Sequence, residues 1–202
     1  PCPLVSVVPT GIRTEPPPII LAARDRTLDR KRFLRWLVVP LVAAIILAVD
    51  IYSKNWVLTN LALYESYRPI PALGDLLILT HVTNTGAAFG LLRDRSLLFI
   101  IIAFVVVAAI LFYSRHLATS RLWVRLSLGL QLGGAVGNLV DRLQRQGQVT
   151  DFIDVGIGRY RWYVFNVADS AIVVGVILLA LFVLFDREQA ADAKDRPQEQ
   201  EG

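Results

Sequence analysis

Apolar positions fall into four runs separated by polar stretches. Leu97 to Tyr113 is 17 residues whose one polar side-chain group is the Tyr113 hydroxyl. About 20 helical residues cross a bilayer core, so with its flanks this run predicts a membrane span. Phe33 to about Tyr52 is another; its middle, Leu37 to Val49, is apolar except for Pro40, a residue that kinks helix interiors. Val167 to Phe185 is a third, apolar after Ser170. Leu122 to Val140 carries Arg125, Ser127, Gln131 and several glycines. That is the pattern of a helix held inside a bundle, where polar groups find partners. The expected fold class is an α-helical integral membrane protein with four transmembrane helices.

Two long segments, about Ser53 to Ser96 and Asp141 to Phe165, and one short turn, Ser114 to Arg121, connect the spans. Asp75 to Phe89 mixes β-branched and apolar residues with Thr and predicts a short strand or two. With four spans, both long segments lie on one side and both termini on the other. Arg24, Arg26, Arg30, Lys31, Arg32 and Arg35 crowd in front of the first span, and Arg115, Arg121 and Arg125 flank the short turn. The long segments hold eight Lys and Arg diluted over 69 residues. Basic density marks the cytoplasmic side, so both termini are expected in the cytoplasm. Residues 1–30, with Pro16-Pro17-Pro18, read as a disordered leader, 31–186 as the four-helix membrane domain and 187–202 as a disordered, polar cytoplasmic tail.

Composition agrees with this pattern. Of 202 residues, 54% are hydrophobic and 19% charged, and the mean hydropathy is +0.52. This excludes an intrinsically disordered chain, and the lone Cys2 excludes an internal disulfide framework. The net charge of +4 is a small excess of 21 basic over 17 acidic residues, with no basic stripe interleaved with aromatics, so no nucleic-acid partner is expected.

Polar groups near membrane depth are costly, which makes each a candidate for function. They cluster in four places. Asp50 and Lys54 stand at i and i+4, the spacing of a helical ion pair. Asn84-Thr85-Gly86-Ala87-Ala88-Phe89-Gly90 opens with an Asn-x-Gly turn signal. Gly133 and Gly137 form a small-xxx-small face, followed by Asn138, Asp141 and Arg142 on one side of the same helix. Asp151-Phe152-Ile153-Asp154 and Asn166-Val167-Ala168-Asp169-Ser170 complete the set. Each has a plain structural reading: an ion pair, a turn, an interfacial anchor, solvated loop acids, or an Asn N-cap with an acid in the first helical turn.

Two histidines, His81 and His116, and one cysteine give little support to a Ser-His-Asp or Cys-His site. No His-Glu-x-x-His motif and no glycine-rich phosphate loop occurs, so no metal or other cofactor is expected. Carboxylate chemistry remains. Two carboxyl groups held close share a proton, so one serves as general base on water while the other polarises a carbonyl.

Asp50 with Lys54, Asn84-Thr85-Gly86-Ala87-Ala88-Phe89, Gly137-Asn138 through Asp141-Arg142, Val149-Thr150-Asp151-Phe152-Ile153-Asp154 and Phe165-Asn166-Val167-Ala168-Asp169-Ser170-Ala171 come in that order on a four-span frame. In this the sequence closely resembles the lipoprotein signal peptidase (signal peptidase II) family from about Leu37 to Phe185. The resemblance implies a membrane aspartic endopeptidase with Asp151 and Asp169 as catalytic dyad. It implies supporting roles for Asn84, Asn138, Arg142 and Asn166, and for Asp50, Lys54 and Asp141 in stabilising the site. It also implies four helices with a small extracytoplasmic β-cradle, acting on a prolipoprotein whose lipobox cysteine carries diacylglycerol. Cleavage just before that cysteine, at the outer leaflet of the bacterial inner membrane, and inhibition by globomycin follow from the same resemblance, and a monomer is expected. Thr150 departs from the family's usual apolar residue before the catalytic Asp, and the leader lies outside the pattern. The dipole of the last helix favours Asp169 as the anion, leaving Asp151 protonated. The alternatives are a small transporter or proton relay using the same acids, disfavoured by the wholly apolar Leu97–Tyr113 run, and a non-catalytic lipid-binding scaffold.

Overall fold

The computed structural model describes the backbone of residues 18–86, 95–116 and 121–195, and the side chains of 35–86, 95–112 and 121–185. The chain divides into a unit ending at Arg35 and a second unit from Trp36 onward. The described residues form four helices: α1 (Pro18–Asn60), α2 (Ser96–His116), α3 (Leu122–Gln144) and α4 (Val167–Asp195). Short strands β1 (Ser66–Tyr67), β2 (Leu77–Asn84), β3 (Val149–Ile157) and β4 (Tyr160–Arg161) lie between them. Helix α1 starts at Pro18, inside the expected leader, and α4 runs to Asp195, inside the expected tail, in stretches that both hold the helix formers Ala and Arg. Residues 1–17 and 196–202 lie outside the described residues.

Two helical stretches, Arg35–Asn60 and Val167–Phe185, are long and apolar enough to cross a membrane, and Ser96–Phe112 forms a shorter apolar stretch. Their outward faces are apolar: Leu41, Val105 and Leu184 are 60%, 62% and 60% exposed. Such surfaces suit a hydrocarbon surrounding, where all helical backbone groups are satisfied within the segment.

The polar-containing α3 is the buried helix, as its composition predicts. Val124, Leu128 and Leu132 pack with Val39, Ala43 and Ile110 in the apolar core. Its glycines set how closely its neighbours approach. A Cβ on Gly133 would lie 2.8 Å from the Ala43 carbonyl oxygen, and one on Gly137 would lie 2.5 Å from Asp50 Oδ2. The small-residue face therefore brings α1 into backbone contact with α3 and leaves room for the Asp50 carboxylate.

The strands form one antiparallel sheet in the order β1-β2-β3-β4. The Asp75–Phe89 prediction matches β2, while residues 87–89 lie outside the described residues. The sequence reading did not assign β3 or β4, since acids interrupt the alternation expected of a half-buried strand. A second apolar cluster of Val57, Leu61 and Phe152 joins the end of α1 to this sheet.

Candidate active site

The site is assembled where β3, the end of α3 and the start of α4 meet. In the β2–β3 ladder, Val82 pairs with Asp151 and Asn84 with Val149. Asn84 is thus the diagonal neighbour of Asp151 on the same face, within reach of a side-chain bond. Its Nδ2 donates to Asp151 Oδ2 at 2.9 Å, and its Oδ1 accepts from the Gly86 N–H at 2.9 Å. The Asn-x-Gly turn geometry therefore orients the amide that touches Asp151. The pairing shifts register between Leu79 and Val82, just beside the Asp151 position, as bulges next to functional groups commonly do.

The other edge of β3 holds the chain that leads into α4. Phe165 O accepts from the N–H groups of Phe152 and Ile153 at 3.0 and 2.7 Å, and its own N–H donates to Ile153 O at 3.1 Å. This bridge puts the next residue, Asn166, against Asp151, and Asn166 Nδ2 donates to Asp151 Oδ1 at 2.6 Å. Asn166 also caps α4. Its Oδ1 accepts from the Asp169 N–H at 2.9 Å, and Asp169 Oδ2 accepts from the Asn166 N–H at 3.2 Å. This reciprocal arrangement is a capping box. Capping and site-building are thus one geometry, since the box aims Asp169 Oδ1 at Asn138, whose Nδ2 donates to it at 2.7 Å.

Beneath this layer lies a buried charge cluster. Lys54 Nζ sits 2.7 Å from Asp50 Oδ2 and 3.3 Å from Asp141 Oδ2, and donates to Asn138 Oδ1 at 3.1 Å. Asp50 and Lys54 are 0% and 1% exposed, so the i,i+4 pair is an interior one. Asp50 Oδ1 accepts from the Ala168 N–H of α4 at 2.9 Å, and Asp141 Oδ2 from the Thr150 N–H at 2.9 Å. The cluster therefore ties α1, α3, β3 and α4 together immediately behind both candidate acids. The three polar residues at the end of α3 part ways. Asn138 and Asp141 join this network, whereas the Arg142 guanidinium lies over the Phe99 ring at 5.1 Å and reaches the Gly86 carbonyl at 3.4 Å.

Burial pushes the Asp151 carboxyl up to about 7, and the charge of Asp169 pushes the same way. The Asn84 and Asn166 amides and the Lys54 charge act in the opposite direction. Asp151 and Asp169 both line a cavity of about 710 Å³ together with Asn84, Asn138 and Arg142. A buried, proton-holding carboxyl beside a second acid held at a helix start is equipped for general acid–base work on a molecule in that cavity. Among the described residues, no group of three or more His, Cys, Asp or Glu side chains is arranged to hold a metal ion.

The nine residues to which the resemblance gives a role lie in this contiguous assembly, six at the cavity or bonded directly to the acids, and Asp50, Lys54 and Asp141 behind them. Asp154 takes a structural place instead, paired with Arg161 at 2.6 Å. Sequence reasoning missed Phe99, Trp162 and Tyr163 as cavity-lining residues. Phe99 had no signal, being one apolar residue in an apolar run. Gln131, noticed only as a polar residue inside a span, also lines the cavity.

Residues 42–185 match the family model described as signal peptidase II. A lipoprotein signal peptidase of Geobacillus thermodenitrificans (strain NG80-2) is 43% identical over 145 residues, covering 72% of this chain and 88% of that protein. One from Moorella thermoacetica (strain ATCC 39073 / JCM 9320) is 48% identical over 139 residues, covering 69% of this chain and 87% of that protein. The chain is also similar to a solved bacterial membrane enzyme determined by the in meso method at 2.3 Å resolution. There the TM-score is 0.66 and the identity 29%, covering 80% of this chain and 93% of the other.

Proposed function

The chain belongs to the signal peptidase II family, and from that premise we infer that it is a membrane aspartic endopeptidase that removes signal peptides from prolipoproteins. Asp151 and Asp169 are its dyad. The observation that carries this reading is the shared partner Asn166, which bonds both carboxyl groups, each of which lines the cavity.

In this mechanism Asp169 starts as the carboxylate and accepts hydrogen bonds from Asn138 and Asn166. Asp151 begins protonated, as its raised pKa favours. Asp169 takes a proton from water, whose oxygen attacks the scissile carbonyl carbon while Asp151 gives its proton to the carbonyl oxygen. The tetrahedral adduct then collapses. Asp151 recovers its proton from the hydroxyl as the carbonyl reforms, and Asp169 passes the water-derived proton to the departing amine.

All four helices cross the membrane, with both termini in the cytoplasm and the dyad at the outer leaflet. The dense basic cluster from Arg24 to Arg35 supports that orientation. The substrate is a prolipoprotein carrying a diacylglyceryl cysteine, cut just before that cysteine, and a monomer suffices because one chain supplies both acids. The apolar helical walls of the cavity suit a lipid-bearing substrate, and globomycin competes for the same space.

The test is cleavage of a diacylglyceryl-modified prolipoprotein by the purified chain in detergent, followed by gel shift. Parent activity that disappears in both Asp151→Asn and Asp169→Asn is the expected result. Activity retained by either variant would refute the dyad.

A further inference from the structure

Besides the dyad and its polar partners, the cavity is lined by Phe99, Ile102 and Val106 of α2 and by Ile172 and Val173 of α4. A polar side chain from α3 interrupts this apolar wall. Gln131 of α3 lines the cavity, and its Nε2 is buried without a hydrogen-bond partner among the described residues. It stands on the same face of α3 as Ala135, Asn138 and Arg142, which also line the cavity. A buried amide N–H group without a partner costs free energy that an apolar residue there would avoid. Its terminal torsion is soft, so the amide turns readily toward the cavity.

We propose that Gln131 is a substrate-positioning residue that hydrogen-bonds the backbone of the signal peptide about three residues upstream of the scissile bond. Gln131 lies seven residues before Asn138, about 10 Å along the helix. An extended peptide advances about 3.3 Å per residue, so three residues cover that distance. The segment of substrate that runs deeper from the dyad is the signal peptide, since the mature chain leaves toward water. Extended backbone in a water-poor cavity needs partners for its N–H and C=O groups, and a glutamine amide supplies a donor and an acceptor. An acyl chain in the same place would leave the amide unsatisfied, which favours peptide over lipid as the occupant.

The inference rests on the dyad reading above, and the experiment separates the two. The purified full chain is assayed on two synthetic lipidated peptides, one extending well upstream of the scissile bond and one stopping at the second residue before it. Gln131→Leu is expected to raise KM for the long peptide about tenfold, near the value of one hydrogen bond, with kcat little changed. The short peptide, which does not reach Gln131, is expected to give the KM of the parent. Gln131→Met, of similar volume, repeats the measurement, and thermal midpoints verify that both variants fold. An unchanged KM for the long peptide, or an equal rise for both peptides, overturns the assignment. Cleavage of either peptide by Asp151→Asn would instead refute the dyad and is read separately.

Discussion

Asn166 and Asp151, fifteen residues apart in the chain, meet through a buried 2.6 Å hydrogen bond from Nδ2 to Oδ1. The same asparagine is the N-cap of α4 and bonds Asp169 through both its backbone and its side chain. One residue thus fixes where a helix begins and how two acids face one another.

These two duties separate by substitution. Asn166→Asp keeps a good N-cap but replaces the amide that donates to Asp151 with a third acid. Activity is expected to fall by about 10²-fold or more, the scale of losing an oriented active-site donor. The thermal midpoint falls as well, because Asn166 is fully buried and the added carboxyl lies against two others. Asn166→Ala is expected to lose both, with a cap cost of about 1 kcal/mol. Retained activity in Asn166→Asp would show that the Asp151 contact is dispensable.

The raised Asp151 pKa gives a pH signature. In the proposed mechanism a protonated Asp151 is required, so kcat/KM is expected to fall on the alkaline side through about pH 7. The Asn84 amide stabilises the carboxylate and lowers this pKa. Asn84→Ala is therefore expected to move the alkaline limb upward, and a downward shift would contradict the geometry. Stability follows the same linkage. The folded state holds a proton that the unfolded chain releases above 3.8, so this group's contribution is lost as pH rises from about 4 through about 7.

Lys54 neutralises two buried carboxylates. Lys54→Met leaves Asp50 and Asp141 without it and is expected to cost about 3–5 kcal/mol, read as a fall in the unfolding midpoint in detergent. Adding Asp50→Asn should recover part of that loss, because an asparagine oxygen still accepts the Ala168 N–H without carrying charge. No recovery in the double variant would argue against Asp50 as the source of the penalty.

Gly137 faces the Asp50 carboxylate. Gly137→Ala forces that carboxylate or α1 to move and is expected to cost about 1–3 kcal/mol, the scale of overpacking, with reduced cleavage. Equal stability and activity in this variant would mean that the α1–α3 contact yields freely.

Much of this molecule was legible along the chain, because the signals are local. Apolar run length located the helices, and the polar, glycine-bearing Leu122–Val140 run was correctly read as the helix inside the bundle. The spacing of Asn166 and Asp169 foretold the capping box, and i,i+4 spacing foretold the Asp50–Lys54 pair. The lack of His, Cys and phosphate-loop motifs left carboxylate chemistry, and the order of five short motifs carried the resemblance to the signal peptidase II family. What escaped depended on contacts between distant segments. β3 was not read as a strand, since its pairing with β2 and with Phe165 is a long-range fact. The burial of Lys54 between Asp50 and Asp141 appears only once α1 and α3 meet at Gly133 and Gly137. The parting of Asp141 from Arg142, and the arrival of Phe99 and Gln131 at one cavity, follow from helix rotation and packing. Periodicity records which residues a segment must bury or expose, whereas which partner covers each of them is decided by the free energy of packing the whole chain.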